Sequence, residues 1–428
     1  MPLFKTFKKT LVAATLGLAA LGLATDAIAA TEITLKDGTV LTGEIVREGD
    51  QFIILVVKIG EVEKQEFIRK SDISEIVRDA PERDTPEAAN ADEVKDTGPV
   101  VMEGKKPEKA LPPGATRIAF VSLEEMVGPY MNTGALQRSV EALKQLPDSE
   151  RPEIIVLKIN SGGGALFELE KLVPYIKDQV ETEFRTVAWI EDAISAAAMT
   201  AWVVDELYMM RKAAIGGCTG YRMLPGGAEA MEGPELEEVL MWMEQVSAWG
   251  KKSPEVMRAM QIYATLSADI DENGRVTWYL DDSGEYMVSP ENEVLTMNSH
   301  EAVKFGVARA VADSKDELAK ALGCVEWVEV GQDAEEMMVE FRKNVKEAEL
   351  DLTVLYQEMQ IALQAMQATP ELRNKKRHFG RAKNKFQQMR TIAFKKAPSM
   401  LTYGQFSEDW FEFMEEQFDE WAEQLADA

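Results

Sequence analysis

The sequence predicts an α/β fold with a mostly parallel sheet, and three observations carry that expectation. Short apolar runs alternate with amphipathic stretches of helical length across residues 116–322, the pattern of right-handed βαβ crossovers. Two of the runs, Ile154–Ile159 (IIVLKI) and Thr186–Ile190 (TVAWI), are almost unbroken in apolar character, as buried strands are. The first runs straight into the Gly-rich turn Ser161–Gly164, and the second leads to Ser195 at the head of a small-residue helix, Ala196–Val204.

Residues 1–29 have the form of a secretory signal: Lys5, Lys8 and Lys9, then the apolar Leu11–Leu23, then the Ala27-Ile28-Ala29 cleavage pattern. The same run can instead stay attached as a membrane anchor. No later stretch of about 18 apolar residues follows, so an exported (periplasmic or extracytoplasmic) and soluble mature chain is expected. Residues 31–78 hold about five short strands punctuated by turns. Ile33–Leu35 alternates, Asp37-Gly38 is a hairpin signal, and Val40–Val46, Phe52–Ile59, Glu63–Ile68 and Ile73–Val77 follow. This region resembles a small SH3-like or Sm-like barrel, with a role in binding or assembly. Residues 79–115 are acidic and rich in proline (Pro81, Pro86, Pro99, Pro107, Pro112, Pro113), which makes a flexible or extended linker.

Within residues 116–322, Arg117–Val121, Ile154–Ile159, Thr186–Ile190 and Glu206–Met210 read as strands. Asn132–Leu146, which Pro147 helps to end, Ala165–Val180 and the stretch from Ser195 read as helices. Residues 221–233 read as a Gly-rich loop and Pro234–Gly250 as a helix. Residues 264–298 look like an insertion whose VTWYLDD and GEYMVSP segments form a hairpin; Ser299–Phe305 and Ala308–Val311 close the domain. Residues 330–428 read as helical. Asp333–Gln367 carries a Met/Leu stripe, Leu372–Lys396 has ten Lys or Arg and no acid, and Glu408–Asp427 has nine acids and no base. The last two are expected to pair as antiparallel helices; the other reading docks the basic stretch on a partner or an anionic surface.

Composition narrows the function. Hydrophobic residues make up 46% of 428, enough for a sizeable core, and the net charge of −27 disfavours non-specific nucleic-acid binding. Cys218 and Cys324 make no disulfide framework. The only histidines are His300 and His378. No Walker loop, dinucleotide fingerprint or Cys/His zinc pattern is present, so no cofactor or metal is expected. The acids in ADIDENG (Ala268–Gly274) resemble a calcium loop, but Leu280 stands where its closing Glu belongs, and the segment reads as a hairpin turn. Trp242, Trp249 and the Met-rich run Met241–Met260 read as a helical stripe for core or oligomer contact.

The two turns carry the chemistry. A glycine turn after one strand can aim backbone N–H groups at a developing oxyanion. A serine opening a helix after the next strand can sit beside them, with the first N–H groups of its helix unpaired. Such an arrangement suits acyl transfer.

These residues also resemble a known family. INSGGG (Ile159–Gly164) resembles the INSPGG turn of the ClpP proteases and the D-T-P-G-G turn of NfeD-type membrane-associated serine proteases. ISAAAM (Ile194–Met199) resembles their serine-bearing A-S-A-G segment. AAIGGCTG (Ala213–Gly220) is similar to the A-P-G-T-x-I-G turn of NfeD and signal-peptide-peptidase A-like proteins. Val294–Ser314 is similar to their closing L-T-x-x-E-A-x-x-x-G-x-A-D segment. The four motifs keep their order over about half the chain. The resemblance implies a ClpP/crotonase-like core of stacked ββα units that oligomerises, acting as a serine peptidase on unfolded or membrane-derived polypeptide. It puts Ser195 at the nucleophile position and Gly163 and the Ala196 N–H at the oxyanion hole.

A serine nucleophile needs a base. ClpP uses a histidine soon after the serine, and none occurs here between Ser195 and His300. His300 reads as a helix-start residue, and His378 lies in the basic helix. NfeD-type enzymes use a lysine, and the matching position here is near Glu235, with no lysine between Lys212 and Lys251. Lys212, Lys251, Lys252 and, as a carboxylate base, Glu235 are the candidates. Two functions stay open: a Ser-Lys endopeptidase, and a catalytically inactive oligomeric scaffold or adaptor of the same fold with a protein partner. A crotonase-type acyl-CoA enzyme is a third reading, against which an exported chain's poor access to CoA stands.

Overall fold

A computed structural model describes residues 30–36, 40–48, 52–59, 62–69, 73–80, 114–224 and 227–427. The expected signal sequence, the expected Asp37-Gly38 turn and nearly all of the proline-rich stretch lie outside the described residues. The rest divides into two compact units.

The first unit is a five-stranded antiparallel sheet. Its strands are β1 (Ala30–Leu35), β2 (Val40–Glu48), β3 (Phe52–Ile59), β4 (Val62–Arg69) and β5 (Ile73–Ala80), in the order β4-β3-β2-β1-β5. β1 pairs β2 on one edge and β5 on the other, and Ile33 at its centre is fully buried. No pairing joins β4 to β5 among the described residues.

The second unit is the mixed α/β body. It begins β6 (Thr116–Glu124), α1 (Thr133–Lys144), β7 (Ile154–Ser161), α2 (Leu169–Tyr175), β8 (Arg185–Ile194), α3 (Ala196–Trp202), β9 (Glu206–Met209) and β10 (Ala214–Gly216). β6, β7, β8 and β9 are parallel neighbours. Alternate residues of β7 face opposite layers: Ile155, Leu157 and Ile159 pack with α1, α2 and α3, and Ile154 and Val156 pack on the other face. The first half of β8 pairs β9, and its last two residues pair β10 instead. Ser195 follows that change of partner directly.

The Gly-rich loop expected at 221–233 is ordered as the hairpin β11 (Tyr221–Leu224) and β12 (Gly227–Ala230). The Met-rich stripe is split between α4 (Gly233–Trp249) and α5 (Pro254–Gln261). The break falls at Gly250, where a Cβ would lie 2.0 Å from the Trp202 carbonyl oxygen. The insertion also differs from expectation. VTWY and YMVS do not pair with each other; as β14 (Val276–Tyr279) and β15 (Tyr286–Ser289) they flank β13 (Leu266–Ile270), which turns into β14 through Asp271–Gly274. The body closes with β16 (Thr296–Asn298), α6 (Ser299–Lys304), β17 (Ala310–Val311), α7 (Lys315–Ala321) and β18 (Trp327–Glu329). Cys218 and Cys324 are both free.

The C-terminal bundle comprises α8 (Gln332–Ala368), α9 (Leu372–Thr391), α10 (Ser399–Tyr403) and α11 (Glu408–Asp427). Ion pairs Lys383–Asp419 and Arg390–Glu415 set α9 antiparallel to α11, while Lys385 pairs Glu358 of α8. No helix among the described residues is long and apolar enough to cross a membrane.

α8 is fixed to the body through the open edge of β6. β18 covers that edge only as far as Ile118. Beyond it, the Ser122 N–H donates to the Glu335 carboxylate (2.6 Å), and the Ser122 carbonyl accepts from Arg342 (2.9 Å). Glu335 and Arg342 are two turns apart on one face of α8, so together they satisfy the strand edge much as another strand would. Arg342 is 7% exposed and also pairs with Glu124 at 3.2 Å. Replacing it strands buried acceptors and a carboxylate. Arg342→Ala is expected to cost about 3 kcal/mol, read as a lowered denaturant midpoint, and to expose α8 to limited proteolysis before the sheet.

Candidate functional site

Ser195 joins β8 to α3 with φ 56° and ψ −127°. A residue with a side chain avoids this conformation, which costs about 1–3 kcal/mol and persists only where the surroundings impose it. Here they do. The Ser195 N–H donates to the Gly216 carbonyl at 2.9 Å, and its own carbonyl accepts from the Met199 N–H at 3.1 Å and the Cys218 thiol at 3.6 Å. Ala196, Ala197 and Ala198 are buried, their small side chains letting α3 lie against the sheet. The Ser195 hydroxyl makes no cap bond to its own helix and is half-buried. Cys218 is no rival nucleophile: burial pushes its thiol far above the ordinary range.

The glycine turn lies against that serine. Gly163 has φ +101°, and a Cβ built on it would stand 2.6 Å from Ser195 Cβ and 3.1 Å from Ser195 Oγ. Gly164 has φ +152° and would collide with the Val127 carbonyl oxygen at 2.3 Å. The turn is zipped to the chain after β6: the Val127 N–H donates to the Gly163 carbonyl and the Ala165 N–H to the Val127 carbonyl, both at 2.9 Å. The Gly163 N–H, the donor expected for an oxyanion, donates instead to buried Ser161 Oγ at 3.1 Å. Ala196 is the first residue of α3, so its N–H has no intrahelical acceptor.

Lys251 and Lys252 are engaged away from this serine within one chain. Lys251 pairs with Asp205, just beyond the end of α3 opposite Ser195. Lys252 donates to the carbonyls of Val204 and, at 3.0 Å, Gly250. α3 has seven residues, so that end lies about 10 Å from Ser195. Both lysines are therefore held beyond the C-terminal end of α3. Lys212 is exposed in the turn between β9 and β10. Glu235 lies in the first turn of α4 and is half-buried. His300 is exposed in the first turn of α6, behind the Asn298 cap, and His378 lies on α9.

Two residues that sequence reasoning missed stand beside the turn. Glu168 is only 2% exposed. It accepts from the Thr133 N–H and hydroxyl at 2.6 Å, and from the hydroxyl of Tyr403 in α10. An acid within the apolar stretch ALFELEKLV was a signal for Glu168. Tyr403 offered none, because 235 positions separate the two.

No protein-family model matches the sequence, and neither does any curated protein. Among solved structures, the chain is similar to a serine mutant of the 1510-N membrane-bound stomatin-specific protease. Identity is 13% and TM-score 0.36, over 48% of this chain and 84% of that one. A lysine mutant of the same protease, in complex with a substrate peptide, gives 13% and 0.36 over 49% and 80%. The 1510-N protease specific for a stomatin homolog from Pyrococcus horikoshii gives 13% and 0.32 over 48% and 78%. Likeness at this level has no bearing on the chemistry.

Two measurements follow from this geometry. Ser195→Gly is expected to raise stability by about 1 kcal/mol by relieving the positive φ, seen as a higher denaturant midpoint with unchanged slope; an unchanged or lower midpoint would show that the conformation is not strained. Burial lowers the Lys252 pKa from 10.5 to about 7. Between these values the unfolded chain holds a proton that the folded chain lacks, so this group makes stability rise with pH. Relative to Lys252→Met, the wild type is expected to gain up to about 1.4 kcal/mol per pH unit above pH 7, measured by urea unfolding at pH 7, 8 and 9.

Proposed function

We propose that this chain is an exported, oligomeric serine-peptidase-like protein of the ClpP/NfeD type, with Ser195 as acyl acceptor for a polypeptide substrate. The observation that supports it best is the Ser195 backbone, held at a φ that favours glycine and pressed against the Gly163 turn. An ordinary helix cap needs neither feature.

In this reading Ser195 Oγ attacks a peptide carbonyl carbon while its proton passes to a base. The carbonyl oxygen becomes an oxyanion that accepts from the Ala196 N–H and from the Gly163 N–H, which leaves Ser161 Oγ to do so. Collapse breaks the C–N bond, the amine departs with a proton, and water then releases the acyl group from Ser195. The base comes from Lys212 of a neighbouring copy, exposed in one chain and desolvated only where copies meet, or from Glu235 at the start of α4.

The second reading is a scaffold of the same fold that no longer catalyses. It is favoured by the Gly163 N–H already being occupied by Ser161 and by Lys251 and Lys252 binding the far end of α3. A fluorophosphonate probe separates the two. Labelling of the full-length protein, mapped by mass spectrometry to the peptide bearing Ser195 and absent from Ser195→Ala, is the expected result. A folded, oligomeric sample that takes up no probe establishes the scaffold.

A further inference from the structure

We propose that Tyr403, from the C-terminal bundle, is a positioning residue that holds the Ser161–Gly164 turn against Ser195. The inference rests on the acyl-transfer reading of that turn.

Three consecutive glycines, Gly162, Gly163 and Gly164, have no side chains with which to fix their own conformation, and glycine loses more freedom on ordering than any other residue. Something outside the turn must hold it. One side is set by Ser195. On the other, the turn is bonded to Val127, and Gly128 follows with φ +111°. The Tyr403 ring covers Gly128 so closely that a Cβ there would lie 2.7 Å from Tyr403 Cδ1. The same ring stacks on Phe167, three residues after the turn, with centroids 5.1 Å apart and planes 15° apart. Its hydroxyl donates to Glu168, whose other carboxylate oxygen holds Thr133 at the start of α1.

One side chain thus braces both strands of the zipper, Val127-Gly128 and Gly164–Glu168. Asn132, the cap of α1, adds a bond to the Gly128 carbonyl at 3.0 Å. Burial and the adjacent Glu168 raise the Tyr403 pKa, so the hydroxyl remains a donor. α10 is in turn carried by the bundle, where Met400 is buried. The bundle is therefore a supporting part of the site.

The test uses the full-length protein with Tyr403→Ala, Tyr403→Leu, Tyr403→Phe and Glu168→Gln. Two readouts are taken: amide exchange by mass spectrometry over residues 161–166, with Ile154–Ile159 of β7 as an internal control, and the rate of fluorophosphonate labelling. Tyr403→Ala is expected to speed exchange in the turn by about tenfold and to slow labelling by a similar factor, with β7 unchanged. Tyr403→Phe keeps the stacking and the cover over Gly128, so it restores most of the protection; Glu168→Gln leaves one acceptor oxygen where Tyr403 and Thr133 need two, so it protects the turn less well than Tyr403→Phe. Unchanged exchange in the turn of folded Tyr403→Ala overturns the proposal. So does exchange that rises equally in the turn and β7, which is general destabilisation. If Tyr403→Ala does not fold, Tyr403→Leu, which removes the ring that stacks on Phe167 and covers Gly128 but keeps an apolar side chain, decides: turn-specific acceleration of a few-fold supports the brace, and none refutes it. A wild-type protein that never labels defeats the peptidase reading alone, because the exchange comparison still judges the brace.

Discussion

The approach of Gly163 to Ser195 constrains everything around it. The space left between them excludes any side chain at position 163, so the two crossovers that deliver these residues, β7 to α2 and β8 to α3, must arrive in fixed register. The β7–β8 pairing supplies it, running from Ile154–Arg185 to Ser161–Ala193 with one irregularity near the end. That irregularity and the switch of β8 from β9 to β10 bring the chain into Ser195 with its φ already positive. A strained residue is tolerable because its N–H donates to the Gly216 carbonyl and its carbonyl accepts from Met199 and Cys218.

The same register explains the attachment of the C-terminal bundle. A parallel sheet ends in an edge, and β6 has an edge that β18 leaves half uncovered. Glu335 and Arg342 satisfy it with side chains, and Tyr130 with Glu349 and Glu125 with Lys346 extend the same seam along α8. These contacts grip the end of β6 and the segment that follows it before α1, the segment to which the glycine turn is zipped. Bundle and site therefore share one strip of chain, and a change in either is felt by the other through Val127 and Gly128.

Much of the α/β body was legible because it depends on local signals. Unbroken apolar runs gave the strands, and the small residues after β7 and β8 gave the turns that bring Gly163 and Ser195 together. What escaped was set by distant partners. Gly250 breaks the Met-rich stripe because Trp202 occupies the space a Cβ would need, a fact about α3 that α4 cannot announce. VTWY and YMVS looked like mutual partners because they are adjacent and alternate similarly; β13, an equally short strand just before them, lies between them instead. The grouping of Glu168 with Tyr403 was invisible for the same reason. The lysines pose a different difficulty. Their number in the sequence says nothing about which carboxylate or carbonyl each will meet, and Lys251 meets Asp205 while Lys252 meets the Val204 carbonyl.

That engagement defines the central chemical question of the site. A lysine serves as a base only when burial makes its neutral form accessible and no carboxylate holds the proton. Lys177 fails this: burial would lower its pKa, but Glu181 and Asp205 together more than reverse the effect. Lys158 is held in the same way by Glu191 and Glu124. Lys252 alone among the described lysines has a markedly lowered pKa, and it is spent on the Val204 carbonyl, just beyond α3, and on the Gly250 carbonyl that caps α4. The desolvated lysine thus lies just beyond the C-terminal end of α3, and the strained serine opens the other end. A helix of seven residues cannot bring them together by side-chain motion, since its length exceeds the reach of a lysine. Any proton acceptor for Ser195 must therefore approach from outside α3. In the peptidase reading, activation of this serine depends on how copies assemble around the glycine turn or on how α4 presents Glu235, and not on the lysines beyond α3.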